Sequence, residues 1–167
     1  YKWGVKVLGI NGTIAQGMGE MRSILDYAEN NDFIFKSEAL FYYSFMALYL
    51  ENNPEKAWET ITTREVDCQE NLLNVFVVAS IAMRTGNNET AISTIENRPS
   101  DSRYFPFPYL EYMLGLAKLR GLKTDADDNI QRFLQSFKGE NYIKDAYQKL
   151  AWHSLVHDDL DGYRDNM

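Results

Sequence analysis

Residues 72–95, LLNVFVVASIAMRTGNNETAISTI, decide the fold of this chain because they encode two helices that fold back on each other. Apolar residues fill the first arm from Leu72 to Met83 and return at helical spacing in the second arm. Between the arms, Gly86 suits the left-handed position that ends a helix, and Asn88 can cap the next helix through its side-chain oxygen. The stretch therefore predicts a helical hairpin.

Small residues recur before and after this hairpin at nearly constant spacing. Those of the first arms are 32, 36 and 36 residues apart, and those of the second arms are 34, 35 and 36 residues apart. A small residue midway along each arm lets two helices pack closely, and a fixed period of about 34 residues is what a stacked helical solenoid requires. The residues are Ala47, Ala79, Gly115 and Ala151 in the first arms and Ala57, Ala91, Ala126 and Gly162 in the second arms.

The repeated hairpins predict an all-α fold, a right-handed α–α superhelix of about four to five antiparallel helix pairs. Asn53 followed by Pro54 predicts a helix start, because the asparagine can cap and the proline fits the first turn. We expect a single domain over residues 1–167, with a degenerate first hairpin in residues 1–35. The successive repeats are predicted at residues 36–66, 70–98, 106–138 and 143–167.

Composition and charge exclude several classes of protein. The chain is 45% apolar and 14% aromatic with four prolines, which argues against disorder. Seventeen basic and 24 acidic residues give a net charge of −7, so we expect no binding to nucleic acid. The apolar run from Leu72 to Met83 is shorter than the roughly 20 residues that span a bilayer, so we predict no membrane span. The single cysteine, Cys68, excludes a disulfide scaffold.

The second hairpin resembles the tetratricopeptide repeat (TPR) family, and the resemblance extends from Lys36 to about Met167. The first repeat departs from the pattern because it is two residues short between its arms, and the third is disturbed around Lys123. The resemblance implies a solenoid that binds a protein or peptide, or another copy of itself, with no enzymatic activity, cofactor or metal. The residues at the family's signature spacings are Val75, Val78, Ala79, Gly86, Ala91 and Ile95.

The resemblance also implies that ligands bind in the concave groove lined by the first arms. Binding of chaperone tails is disfavoured, because the positions where the family presents Lys and Asn are occupied here by Ser44, Leu48, Phe76 and Ser80. An aromatic and guanidinium hot spot is one interpretation of the groove, and coverage by neighbouring segments of the same chain is the other. The candidate partner-binding residues are Ser44, Phe76, Ser80, Arg84, Tyr112, Leu116, Arg120, Gln148 and Trp152. Further groove positions are Leu48, Glu51, Asn52, Met83, Leu119, Leu155 and Val156.

The segment from Gly12 to Gly19 supplies an alternative, a nucleotide-dependent enzyme with a glycine-rich phosphate loop. Such a loop needs Lys and then Ser or Thr after its last glycine, and Met18 and Gly19 follow Gly17 instead. The structural interpretation is that these glycines let two helix backbones approach. A further alternative is a structural or self-associating domain of a larger envelope protein.

His153 and His157 share a helix face and precede three aspartates, an arrangement that could hold zinc. The metalloprotease motif is absent because no glutamate follows the first histidine, and we expect no metal site.

Two parts of the chain resemble pieces of larger bacterial envelope repeat proteins: the opening from Lys2 to Gly12 and the set Tyr109, Tyr112, Gly115 and Arg120. That resemblance implies the cell envelope or periplasm, and without it we expect the cytoplasm. The chain opens on Tyr1 and ends on a short arm, so we expect it to be part of a longer protein.

Overall fold

A computed structural model describes residues 12–167, and all the regular elements in this part of the chain are helices. The all-α prediction is therefore confirmed. The first arm of the predicted hairpin in residues 1–35 lies outside the described residues. The chain divides after Glu65 into two compact units, which are described separately.

In the part of the first unit that the structure describes, residues 12–65, there are three helices, α1 (Ile14–Asn30), α2 (Lys36–Tyr49) and α3 (Pro54–Thr63). Helix α3 begins as predicted, because the Asn53 carboxamide oxygen accepts a hydrogen bond from the Lys56 amide at 2.9 Å and Pro54 occupies the first turn. Helix α2 packs against both α1 and α3. The core of this unit includes Met18, Leu25, Ala28, Ala39, Leu40, Tyr43, Ala47, Leu48, Ala57 and Ile61.

The second unit contains three helical hairpins, one in each of the predicted repeats from residue 70 onward. The helices are α4 (Leu72–Arg84), α5 (Asn88–Glu96), α6 (Tyr109–Arg120), α7 (Ala126–Ser136), α8 (Ile143–Val156) and α9 (Leu160–Asn166). Helix α6 contacts both α4 and α8, so the three first arms lie side by side. A single domain over the whole chain remains a prediction.

In the turn between α4 and α5, the prediction for Gly86 is confirmed and the prediction for Asn88 is wrong. Gly86 adopts the expected left-handed conformation, with φ +80°. Asn88 does not cap α5, because it is the first residue of that helix. Its side-chain Nδ2 donates instead to the Ala117 carbonyl in α6. The asparagine therefore links two successive hairpins.

The small residues of the repeat let the arms pack closely, as predicted. The six alanines of the repeat are completely buried. Gly115 shows a tight contact between helices, because a Cβ atom there would lie 2.5 Å from Ile130 Cγ1 and 3.0 Å from the Ala126 carbonyl oxygen. Helices α6 and α7 therefore approach so closely that no side chain fits at this position.

We expect Gly115→Ala to lower the free energy of unfolding by about 1–3 kcal/mol, because the methyl group overpacks the contact between α6 and α7. Gly19→Ala is the matched control, since a methyl group there would meet no described atom of another element within 4 Å and alanine favours the interior of α1 by about 1 kcal/mol. Urea denaturation followed by circular dichroism measures both. Equal stabilisation by the two substitutions would contradict the tight contact.

Candidate partner-binding groove

A cavity of about 580 Å³ opens between α6 and α8 in the second unit. Its walls come from one face of each helix and from the turn that follows α6. We call this cavity the α6–α8 groove. It is lined by Tyr112, Leu116, Leu119, Arg120, Leu122, Asp145, Lys149, Trp152, Leu155 and Val156.

Four large apolar side chains of the groove are exposed. Leu122 is 66% exposed, and Trp152, Leu155 and Val156 are 45%, 47% and 49% exposed. Leu116, which lines the same cavity, is half-buried. The groove therefore presents apolar surface that folding of the second unit leaves exposed.

A chain of polar contacts joins α6 to α8 in the wall of the groove. The Tyr112 hydroxyl donates to the Asp145 carboxylate, which also accepts a hydrogen bond from Lys149 Nζ at 3.1 Å. The same Nζ lies 4.0 Å from the ring centroid of Trp152. Burial and then the bond to Asp145 raise the pKa of Tyr112 well above its usual value, so the hydroxyl stays a neutral donor. Asp145 and Lys149 offset each other's charge.

Arg120 is the last residue of α6, and its guanidinium group is exposed at the edge of the groove. Its Nη1 atom donates to the Met83 carbonyl at 3.3 Å. Within residues 12–167, no carboxylate lies within 4.0 Å of this guanidinium. By contrast, Lys118 pairs with Asp125 at 2.6 Å, and Lys123 also has an acidic partner.

The structure brings four of the nine candidate residues together in the groove, namely Tyr112, Leu116, Arg120 and Trp152. The expectation that Tyr112 is an open contact residue needs correction. Its side chain is only 4% exposed, because the rings of Tyr109, Phe133 and Tyr142 pack around it with centroids 5.5, 5.3 and 5.5 Å away.

The candidates in α2 and α4 do not line this groove. Ser44 is completely buried within α2, which corrects the expectation that it is accessible to a partner. Phe76 is half-buried, and its ring centroid lies 5.8 Å from that of Phe107 and 6.2 Å from that of Tyr109. Two aromatic rings of the same chain therefore lie against Phe76.

The remaining candidates lie apart from the groove. Ser80 is half-buried in α4, and Arg84 is exposed in the last turn of that helix. Gln148 is exposed in α8 and lines a different cavity of about 640 Å³, which includes residues of α9. These three residues stay candidates without a shared site.

Sequence reasoning missed Leu122, Asp145 and Lys149 as groove residues. A signal for two of them was present, because Asp145, Lys149, Trp152 and Val156 follow each other at intervals of four, three and four, one face of a helix. Leu122 carried no such signal, since it lies in a turn and adopts a left-handed conformation with φ +53°.

Most of the Gly12 to Gly19 segment is helical, because α1 begins at Ile14, and this argues against a phosphate loop there. Gly17 and Gly19 lie inside α1, and the Gly17 amide donates to the Thr13 carbonyl at 3.0 Å instead of facing a ligand. Among the residues that the structure describes, a Cβ atom on Gly17 would meet only the end of the Met46 side chain, at an ordinary 3.6 Å. Close backbone approach at these glycines stays a prediction.

Several titratable groups outside the groove are engaged in structural contacts. Glu111 accepts from Asn129 at 2.8 Å and Arg132 at 3.0 Å, and although burial opposes the effect, these contacts lower its pKa. His153 Nε2 lies 3.1 Å from the Thr124 carbonyl oxygen.

Within residues 12–167, no three His, Cys, Asp or Glu side chains cluster as a metal site would require. None of the helices described is long and apolar enough to cross a bilayer.

The arrangement of helices matches a solved structure. Neither a scan of protein-family models nor a search of curated proteins finds a match. The chain is similar to the crystal structure of MamA, a TPR-containing protein, with a TM-score of 0.70 over 97% of this chain and 87% of that one. The fold is a TPR-like helical solenoid. Sequence identity is 15%, so the similarity concerns the fold.

Proposed function

We propose that this chain is a non-enzymatic protein-interaction scaffold, and that its α6–α8 groove binds an apolar segment of a partner protein. The observation that carries this proposal is the exposure of Leu122, Trp152, Leu155 and Val156 around one cavity. Together they present a few hundred Å² of apolar surface, a patch size that often marks an interaction site.

The energetics of the groove favour a peptide-sized partner. Apolar surface contributes about 25 cal/mol per Å² when it is buried, so covering this patch yields several kcal/mol. Part of that free energy offsets the cost of association. Trp152 is suited to anchor the partner, because tryptophan is enriched among the residues that dominate interface energetics and Lys149 holds one part of its ring.

The geometry suits a segment that lies along the two first arms. A groove between helices receives an amphipathic helix or an extended strand, whose apolar side chains enter the cavity. The TPR-like fold supports the same class of function, since stacked helical repeats form extended surfaces that bind proteins. The partner segment can belong to a different protein or to another copy of this chain.

Val156→Glu is expected to abolish binding of peptides selected against the chain, because a carboxylate would enter the apolar wall of the groove. We would select peptides of about 12 residues from a display library and measure their affinity by fluorescence anisotropy. A loss of at least tenfold is expected, corresponding to about 1.4 kcal/mol. Leu160→Glu is the matched control, since this leucine is 57% exposed but lies outside the groove.

Both substitutions are at exposed positions and should leave the melting temperature nearly unchanged. Selective loss in Val156→Glu supports the groove. Failure to select any peptide, or equal affinity for both variants, would refute the proposed function.

A further inference from the structure

We infer that the partner segment carries an acidic side chain beside its apolar ones, and that Arg120 is the residue of the groove that selects it. The inference rests on the proposed function and names the chemistry of the ligand. Charge complementarity carries it, because the α6–α8 groove has one cation whose charge no carboxylate of residues 12–167 offsets at close range.

The charges of the groove do not cancel. Lys149 is paired with Asp145 at 3.1 Å, so these two groups together contribute no net charge. Tyr112 is a neutral donor whose hydrogen bond is already made to Asp145. Arg120 remains, and its hydrogen bond to the Met83 carbonyl satisfies only one of five guanidinium N–H donors. The groove is therefore locally positive in a chain whose net charge is −7.

The surroundings of Arg120 make the charge decisive for specificity. Leu119 and Leu122 line the same cavity from the end of α6, and Val156 lines it from α8. A segment that fills this cavity strips water from part of the guanidinium group, which costs free energy unless an acceptor replaces the water. A carboxylate supplies two oxygens in the geometry that a guanidinium group favours. A lysine side chain in the same place would be repelled.

An acidic side chain is favoured over a terminal carboxylate as the source of this group. The groove is apolar beyond Arg120, with Trp152 and Leu155 exposed in α8, so the segment must continue to fill it. The cavity is also open to solvent, since its four main apolar residues are 45% to 66% exposed. A side chain within a longer apolar segment satisfies both parts of the groove at once.

The test uses peptides selected from a display library against the intact chain. We expect the selected sequences to be enriched in Glu or Asp next to large apolar residues, and Arg120→Gln to weaken the binding of such a peptide about tenfold. Arg164→Gln is the matched control, because it removes the same charge from an exposed residue of α9 outside the groove.

A charge exchange separates pairing from a general effect of charge. Arg120→Glu should reject the acidic peptide and should recover affinity for the same peptide with Lys in place of its acid. Selected peptides without acidic residues, or an acidic peptide that binds Arg120→Gln as tightly as the original chain, would overturn the inference. A peptide that carries its carboxylate only at its own C-terminus and binds equally well would also overturn it.

The two proposals fail in different ways. If Val156→Glu abolishes binding and Arg120→Gln does not, the groove remains the binding site and the acidic partner is refuted. If no selected peptide depends on Val156, the proposed function itself is refuted, and the inference about Arg120 falls with it.

Discussion

Phe133→Ala is expected to lower the free energy of unfolding by about 3–5 kcal/mol. The Phe133 side chain is completely buried in α7, with its ring centroid 5.3 Å from that of Tyr112 and 4.8 Å from that of Phe137. Its cluster also contains Ala146 and Leu150 of α8, so one side chain packs against elements of two hairpins. Removing it leaves a cavity that rigid helices cannot close.

The loss is large relative to the stability of an ordinary domain, about 5–15 kcal/mol. Urea denaturation followed by circular dichroism measures it. Phe105→Ala is the matched control, because the Phe105 side chain is 89% exposed and its removal should change stability by at most about 0.5 kcal/mol. Similar losses in the two variants would show that Phe133 does not hold the hairpins together.

The repeat architecture could be predicted because it depends on local spacing. A small residue suits the place where two arms pack closely, and the sequence supplies one at each expected position, as the contact at Gly115 illustrates. The Asn53 cap was also predictable, since an asparagine before a proline acts on its own helix. Such features involve residues only a few positions apart, so the sequence pattern alone identifies them.

Contacts between hairpins could not be predicted in the same way. Asn88 has the residue type of a cap, but its amide group bonds to Ala117, which lies 29 residues further along the chain. Ser44 has the register of a groove residue, but packing buries it completely. The partner atom of Asn88 comes from a distant part of the chain. For neither residue does the position within one helix reveal what surrounds it.

The α6–α8 groove has one feature that the sequence predicts and one that it does not. Trp152 and Val156 follow the helical stripe that starts at Asp145, so their shared face is readable from the sequence. The exposure of the cavity to solvent cannot be predicted from the sequence, because it depends on how α8 lies against α6. That arrangement is fixed partly by the contact between Tyr112 and Asp145.

Tyr112→Ala is the second substitution with a large expected effect, a loss of about 3–5 kcal/mol of unfolding free energy. The substitution removes a ring that three aromatic neighbours surround, and it also removes the hydroxyl that links α6 to α8. We expect the groove to be lost together with the packing of α8. Binding measurements on this variant would therefore report stability and not contact with a partner.

Tyr112→Phe separates the ring from the hydroxyl. It should cost about 1–2 kcal/mol, because the packing remains while the hydrogen bond to the Asp145 carboxylate is lost. Tyr147→Phe is the control, since Tyr147 is 46% exposed in α8. Denaturation of the original chain, Tyr112→Phe and Tyr147→Phe at neutral pH measures these differences in the free energy of unfolding.

The pH dependence distinguishes a buried hydrogen bond from a surface contact. Burial raises the pKa of Tyr112 in the folded chain, so the folded state binds this proton more tightly than the unfolded state does. The stabilisation is fully present below the unfolded pKa of about 10 and is lost as the pH rises toward the higher folded value. The stability difference between the original chain and Tyr112→Phe should therefore be constant below about pH 10 and shrink above it.

A Tyr112→Ala chain that melts normally but fails to bind peptide would instead make Tyr112 a surface contact, because a core residue cannot be removed without loss of stability.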